Sequence, residues 1–397
     1  MAIRANPKLI DELQKFGADD VSKCYHCGTC TATCQLTEGE SIFPRREMRL
    51  LQMGLESKLE GSVDPWLCYY CGECSDECPR EAEPGETMMS LRRWLTSRYD
   101  WTGISRLIYR SWVAELTIII LMAIVTGAFF LAMGFWKGDI HDYDGPDAFL
   151  QPGDTWFTVI PKFWTRGGLG IHLFDWLLAA VLVFFLGTNC IRMWWFSMGR
   201  NPDVRFSLWA YIKNIWLLPF HFFTQKRYAM CERKTPWAVH LWLMLSYVTM
   251  LILIMLFLDF MWSGPEIDWW VHAFGLTAAA GLLITSIVAL RGRIVKTETH
   301  YEHSHESDWM FLILLLIVTC TGIAQFFLHR FGSDVAANIA YVIHLMAVVP
   351  MLGLEVPFSK WSHLAYRPLG MYFHNVREDS APATQPVREP LGAAQAA

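Results

Sequence analysis

The chain has 397 residues; 53% are hydrophobic, only 18% are charged, and 19 Trp and 25 Phe are among them. A chain of this composition is mostly membrane or insoluble, and its length allows two or three domains. A net charge of −5 argues against a nucleic-acid partner.

The N-terminus, Met1 to Phe16, is polar with a short amphipathic piece around Leu9, Ile10 and Leu13. It lacks the apolar core of a signal peptide, so export of the adjoining segment is not expected. Two cysteine runs come next, Cys24-x2-Cys27-x2-Cys30-x3-Cys34 and Cys68-x2-Cys71-x2-Cys74-x3-Cys78 with Pro79 directly after. They hold eight of the eleven cysteines. The spacing is that of paired [4Fe–4S] centres, in which the fourth cysteine of each run ligates the other cluster. By that rule Cys24, Cys27, Cys30 and Cys78 hold one cluster, and Cys68, Cys71, Cys74 and Cys34 the other. Structural zinc needs neither the third nor the fourth thiolate of each run. Disulfides would need an oxidising compartment and strained partners. Thiolate ligation places this end of the chain in the cytoplasm.

Residues 1–111 read as a soluble, α-helical two-cluster ferredoxin domain. Pro44 to Leu59 has helical composition, with Pro44 in the first turn and Met48, Leu51, Leu55 and Leu59 at helical spacing. Gly28 and Gly72 follow the second cysteine of each run, where a small residue lets the backbone approach a sulfide.

From Val113 the chain is apolar in six blocks: 113–135, 171–196, 239–260, 269–290, 309–328 and 336–358. Each approaches or exceeds the ~20 residues that cross a bilayer, and Trp and Tyr cluster at their ends. The loops 197–236 and 291–308 and the tail 359–397 carry 14 Lys plus Arg; the alternate loops, including the acidic 136–170, carry 4. The basic side is therefore cytoplasmic, and it is also the side of the cysteine domain. The expected fold is all-α, with a membrane domain over 112–374 and a disordered tail over 375–397. Phe206–Phe223, which contains Lys213 and Pro219, reads as an interfacial helix.

Histidine inside hydrocarbon needs a partner, and haem iron is a common one. His240 begins the third span and His363 ends the sixth, at similar depth. His344 lies in the opposite half of the sixth span, nearer His272 and His172. His344 and His363 are 19 residues apart, whereas five helical turns take ~18; a kink or π-bulge near Pro350 would absorb the difference. His300, His303 and His305 read as solvent-exposed loop residues. Glu115, Asp175, Asp259 and Glu355 fall at or near span ends, where water is close; Glu355 is a candidate proton relay.

These features resemble known families. The cysteine runs look like the C subunit of heterodisulfide reductase. The spans from the second onward resemble the cytochrome b subunit of respiratory nitrate reductase, most closely at His344 and at Pro357-Phe358-Ser359-Lys360-Trp361-Ser362-His363. The fusion of the two modules resembles the C subunits of quinone-interacting membrane-bound oxidoreductase (Qmo) complexes. The resemblance implies a six-helix cytochrome b-type bundle holding two haem b, with His240, His363 and His344 as axial ligands. In the nitrate reductase family a second histidine follows ten residues after the first; here that position is Met250, so His272 becomes the fourth ligand, with His172 and Met250 behind it. The first span has no counterpart there. The implied function is oxidation of menaquinol in the cytoplasmic membrane. Electrons would pass through the haems and clusters to Qmo A- and B-type flavin/Fe-S subunits and on to adenylylsulfate reductase. Two alternatives are the membrane arm of a heterodisulfide reductase-type complex and a haem-free anchor for soluble redox subunits.

Overall fold

The structure is a computed structural model, and it describes residues 4–37, 42–132, 169–202, 204–262, 269–296 and 298–380. Residues 136–168 of the acidic loop and 381–397 of the tail lie outside them. Among the described residues every regular element is helical.

The N-terminal part is built from short helices: α1 (Leu9–Gln14), α2 (Thr29–Thr33), α3 (Arg45–Gln52), α4 (Glu56–Glu60), α5 (Asp64–Leu67), α6 (Glu73–Asp76), α7 (Pro84–Tyr99) and α8 (Ile104–Arg110). The single helix expected over 44–59 is two. Gly54 adopts φ 67 between α3 and α4, and its carbonyl accepts from the Asn6 amide at 2.7 Å. A side chain there would collide with the Asn6 backbone, so the break is built into the packing. Leu9, Leu13, Phe16, Met48, Leu51, Trp66, Trp94 and Tyr99 form the core.

Six helices are long and apolar enough to cross a membrane: α9 (Trp112–Ala132), α10 (Leu169–Trp194), α13 (Thr235–Trp262), α14 (Trp269–Val295), α16 (Glu306–Phe331) and α17 (Asp334–Pro350). α13 packs on α14, α14 on α16, α16 on α17, and α17 on α9, so the extra first span belongs to the bundle. Phe130 of α9 clusters with Tyr341, Val342 and Leu345 of α17. The expected interfacial helix is also two, α11 (Leu208–Asn214) and α12 (Leu217–Thr224), with Phe206, Leu208, Trp209 and Trp216 facing outward. The short α15 (Thr299–Glu302) lies between α14 and α16.

The sixth span does not run straight into His363. A π turn over Met351–Glu355 follows Pro350, a short α18 (Val356–Phe358) ends at Ser359, and α19 (His363–Ser380) starts afresh. The residue in excess of five turns is taken up there. α19 also continues through residues 375–380, expected from the sequence to belong to the tail.

Three basic segments touch the cysteine domain. Arg227 donates to Leu36 O at 2.9 Å, Tyr70 Oη donates to His303 O at 3.1 Å, and Arg377 donates to Gly61 O at 2.6 Å. The basic loops and the cysteine runs therefore share one side of the bundle. The core of the cysteine domain is not self-contained, since Met193 of α10 and Tyr366, Phe373 and Val376 of α19 complete it.

Candidate functional site

The two cysteine runs have the same local backbone. His26 and Tyr70, before the second cysteine, have φ 66 and 56; Gly28 and Gly72, after it, have φ 92 and 91. Each glycine then starts a short helix, α2 or α6, and the fourth cysteine lies beyond it. The left-handed residues on either side of the second cysteine curl each loop. Tyr70 N donates to Cys68 Sγ at 3.3 Å and Ala82 N to Cys78 Sγ at 3.4 Å, bonds that also stabilise thiolate.

The runs cross. Burial, and then the neighbouring sulfurs of Cys24, Cys27 and Cys78, push the Cys30 thiol up to about 11. Burial does the same for Cys34, with Cys68 and Cys71 adding to it. Cys74 is raised by burial and by Cys68, Cys71, Cys34 and Cys30. Cys34 thus lies near the first three thiols of the second run, and Cys78 lies near Cys30 of the first.

Residues 20–82 match the 4Fe-4S dicluster domain family. The iron-sulfur C subunit of CoB--CoM heterodisulfide reductase from Methanopyrus kandleri is 36% identical over 83 residues, 19% of this chain and 43% of that protein. The corresponding C 2 protein from Methanocaldococcus jannaschii is 35% identical over 95 residues, 22% of this chain and 50% of that protein. The C2 protein of the H(2)/formate:CoB-CoM heterodisulfide,ferredoxin reductase of Methanococcus maripaludis is 33% identical over 72 residues, 18% and 39%. The chain spans half or less of the length of these curated relatives. No solved structure matches. The N-terminal part is a 4Fe-4S dicluster domain on an all-α chain with six candidate membrane helices.

Below that domain lies a cavity of about 590 Å³, within the ~300–1,000 Å³ usual for cofactor sites. His240 and His363 line it, together with Arg92, Arg293, Lys360, Arg367 and Asp308. The two imidazole centroids are 6.1 Å apart. His240 Nδ1 is 2.8 Å from Gln225 Oε1, and His363 Nδ1 bonds the Lys360 carbonyl. A carbonyl oxygen only accepts, so each Nδ1 carries the hydrogen and each Nε2 keeps its lone pair. Metal-ligating histidines are held in this way. Two rings at this spacing leave room for one iron with metal–nitrogen bonds of ~2 Å. The residues fit a haem with two histidine ligands, and Arg92 and Arg367 fit its carboxylates, whereas Arg293 and Lys360 already pair with Asp308. Burial lowers Arg92 to about 9, with Arg367 beside it as a second cause, so this guanidinium gains from a counter-charge.

His344, on α17, is 3.0 Å from Thr321 Oγ1 of α16; the threonine hydroxyl donates to Ile317 O at 2.8 Å, so it accepts from the imidazole. Gly322 makes room: a Cβ there would stand 3.0 Å from His344 Cε1. His272, on α14, packs its ring 5.8 Å from Phe326 of α16. α16 thus touches both histidines, and among the described residues no ring contact joins them. Met250 lies on α13 and His172 at the start of α10.

His305, expected in solvent, is largely covered. It caps α16, its Nδ1 accepting from Ser307 N at 3.2 Å, and its ring meets Tyr109 edge-on at 6.5 Å. Cys231 was not legible as a site residue. It is buried beside Cys71, and their sulfurs and a Glu73 oxygen lie within 4.8 Å of one another. The only sequence signal was that it stands outside both runs.

Proposed function

We propose that this chain is the membrane subunit of a respiratory electron-transfer complex. Residues 1–111 would carry two [4Fe–4S] clusters, held by Cys24, Cys27, Cys30 and Cys78 and by Cys68, Cys71, Cys74 and Cys34. Residues 112–374 would carry two b haems, one on His240 and His363, the other on His344 and His272. The single observation that supports this most is the cavity beneath the dicluster domain, in which two histidines at 6.1 Å each present a free Nε2. Bound haem would supply reversible one-electron chemistry within the membrane. The chain's own part would be to hold the two rings by Gln225 and the Lys360 carbonyl, to neutralise acidic groups with Arg92 and Arg367, and to exclude water with Tyr247 and Trp361.

The donor on this reading is menaquinol, oxidised in the cytoplasmic membrane with the dicluster domain on the cytoplasmic side. Soluble flavin/Fe-S subunits of Qmo A and B type, and adenylylsulfate reductase beyond them, would receive the electrons. The resemblance of the fused modules supports these partners. A second reading is favoured by the names of the curated relatives: the chain would be the membrane arm of a heterodisulfide reductase-type complex.

The test is a reduced-minus-oxidised visible spectrum of detergent-solubilised protein, with haem and non-haem iron measured on the same sample. About two haem b and about eight non-haem irons per chain are expected from this ligand set. Haem reduction on adding a menaquinol analogue supports the quinol role, and its absence in haem-loaded protein ends it. Cluster iron without haem in folded protein makes the chain an anchor instead.

A further inference from the structure

We propose that the centre held by Cys34, Cys68, Cys71 and Cys74 is the one that exchanges electrons with the membrane part, through the stacked rings of Tyr69 and Tyr228, and that Cys231 is a positioning thiol for it. This rests on the proposed cluster and His240/His363 assignments.

The two cysteine runs share a backbone, but the residues after their first cysteines face opposite ways. Tyr25, after Cys24, is 60% exposed, and Cys27 is exposed too. Tyr69, after Cys68, is 6% exposed. Its ring stacks on Tyr228 with centroids 4.7 Å apart and planes at 22°. Tyr228 in turn meets His240 edge-on at 6.0 Å, and His240 faces His363. Arg367 stands over the Tyr69 ring, 3.4 Å from its centroid. A continuous packed path therefore runs from the residue between Cys68 and Cys71 to the imidazole pair. Among the described residues no ring contact links Tyr25 to the imidazole pair.

Cys231 lies on the same path. It precedes α13, the helix that carries His240, and it shares a hydrophobic cluster with Tyr69, Tyr228, Leu36 and Met371. Its sulfur lies within 4.8 Å of Cys71 Sγ, and the next backbone amide, Glu232 N, donates to Glu73 Oε1 at 2.8 Å. If Cys71 ligates iron as a thiolate, the neighbouring Cys231 S–H is the group placed to donate to it. A donor to a ligating sulfur stabilises the reduced, more negative cluster and raises its potential. Transfer along the path moves one electron from iron to cluster. It makes and breaks no bond and moves no proton.

The experiment uses full-length protein in detergent with haem and clusters loaded. EPR-monitored redox titration follows both clusters in wild type, Cys231→Ala and Cys231→Ser; stopped-flow absorbance follows haem oxidation in wild type, Tyr228→Leu and Tyr228→Phe. Cys231→Ala is expected to lower the midpoint potential of one cluster only, and Cys231→Ser, which keeps a donor, to restore it. Tyr228→Leu is expected to slow haem oxidation with cofactor content unchanged, and Tyr228→Phe, which keeps the ring, to retain the rate. An unshifted pair of clusters in Cys231→Ala, or an unchanged rate in Tyr228→Leu that still holds haem, overturns the inference while leaving the proposed function standing. Wild type that holds both clusters and no haem overturns both.

Discussion

Ser359 Oγ donates to Glu115 Oε1 at 3.2 Å, tying the first span to the end of the sixth. Glu115 and Glu355 are both fully buried, and their other three carboxylate oxygens meet no donor among the described residues. The sequence placed both at span ends with water close by; the structure closes water out by packing α9 onto α17. Removing the one donor leaves a buried acceptor unsatisfied, which costs about 1–3 kcal/mol. Ser359→Ala should lower the thermal midpoint of solubilised protein. Glu355→Gln, which brings a neutral amide donor beside Glu115, should leave it unchanged or raise it. A fall with Glu355→Gln as large as with Ser359→Ala would show that the Glu355 carboxyl itself is needed.

Gln225 holds His240 from a position of its own, φ 48, at the end of α12. Gln225→Leu should weaken retention of the haem proposed on His240 and His363 by about 10–100-fold, as loss of such an outer partner does. His363→Ala should remove that haem and keep the cluster iron. Haem titration with non-haem iron measured in parallel checks both. Equal haem in wild type and His363→Ala would dismiss His363 as a ligand.

Crossed ligation makes its own forecast. Cys78→Ser should perturb the same EPR signal as Cys24→Ser, although the two lie in different runs, and Cys34→Ser should perturb the other. If Cys78→Ser and Cys74→Ser alter one signal together, each run keeps its own cluster.

His305 gives a pH dependence. Burial chiefly, then Arg93 and Lys360, lower it from 6.5 to about 3, with Asp308 opposing. Between those values the unfolded chain binds a proton that the folded chain does not. The folded state is therefore fully favoured above about 6.5, and stability is lost as pH falls toward about 3. His305→Asn keeps a capping acceptor without titrating. The wild type should lose more of its thermal midpoint than this variant between pH 7 and pH 5. Parallel losses would assign the acid sensitivity elsewhere.

The cysteine spacing and the apolar blocks were legible because each is set by one local requirement: three thiols for one cluster, and enough helix to cross the bilayer. What was not legible depends on contacts far apart in the chain. Gly54 breaks a helix because the Asn6 backbone presses on it. His305 looked exposed in a polar loop but is covered by Tyr109, nearly 200 residues earlier. Cys231 becomes notable only once α13 and the second cysteine run are folded against each other. The 19-residue interval between His344 and His363, with Pro350 between them, was the exception: it asked for a kink or π-bulge there, and a π turn follows Pro350 directly.

Trp66, Tyr99 and Tyr366 form a triangle of rings, with centroids 5.1 Å, 5.4 Å and 6.3 Å apart. Two come from the dicluster domain and the third from the helix after the last span. A domain anchored by a shared aromatic core cannot swing between a loading and an unloading position. The dicluster domain is a fixed terminal, and whatever exchanges electrons with it has to travel to it.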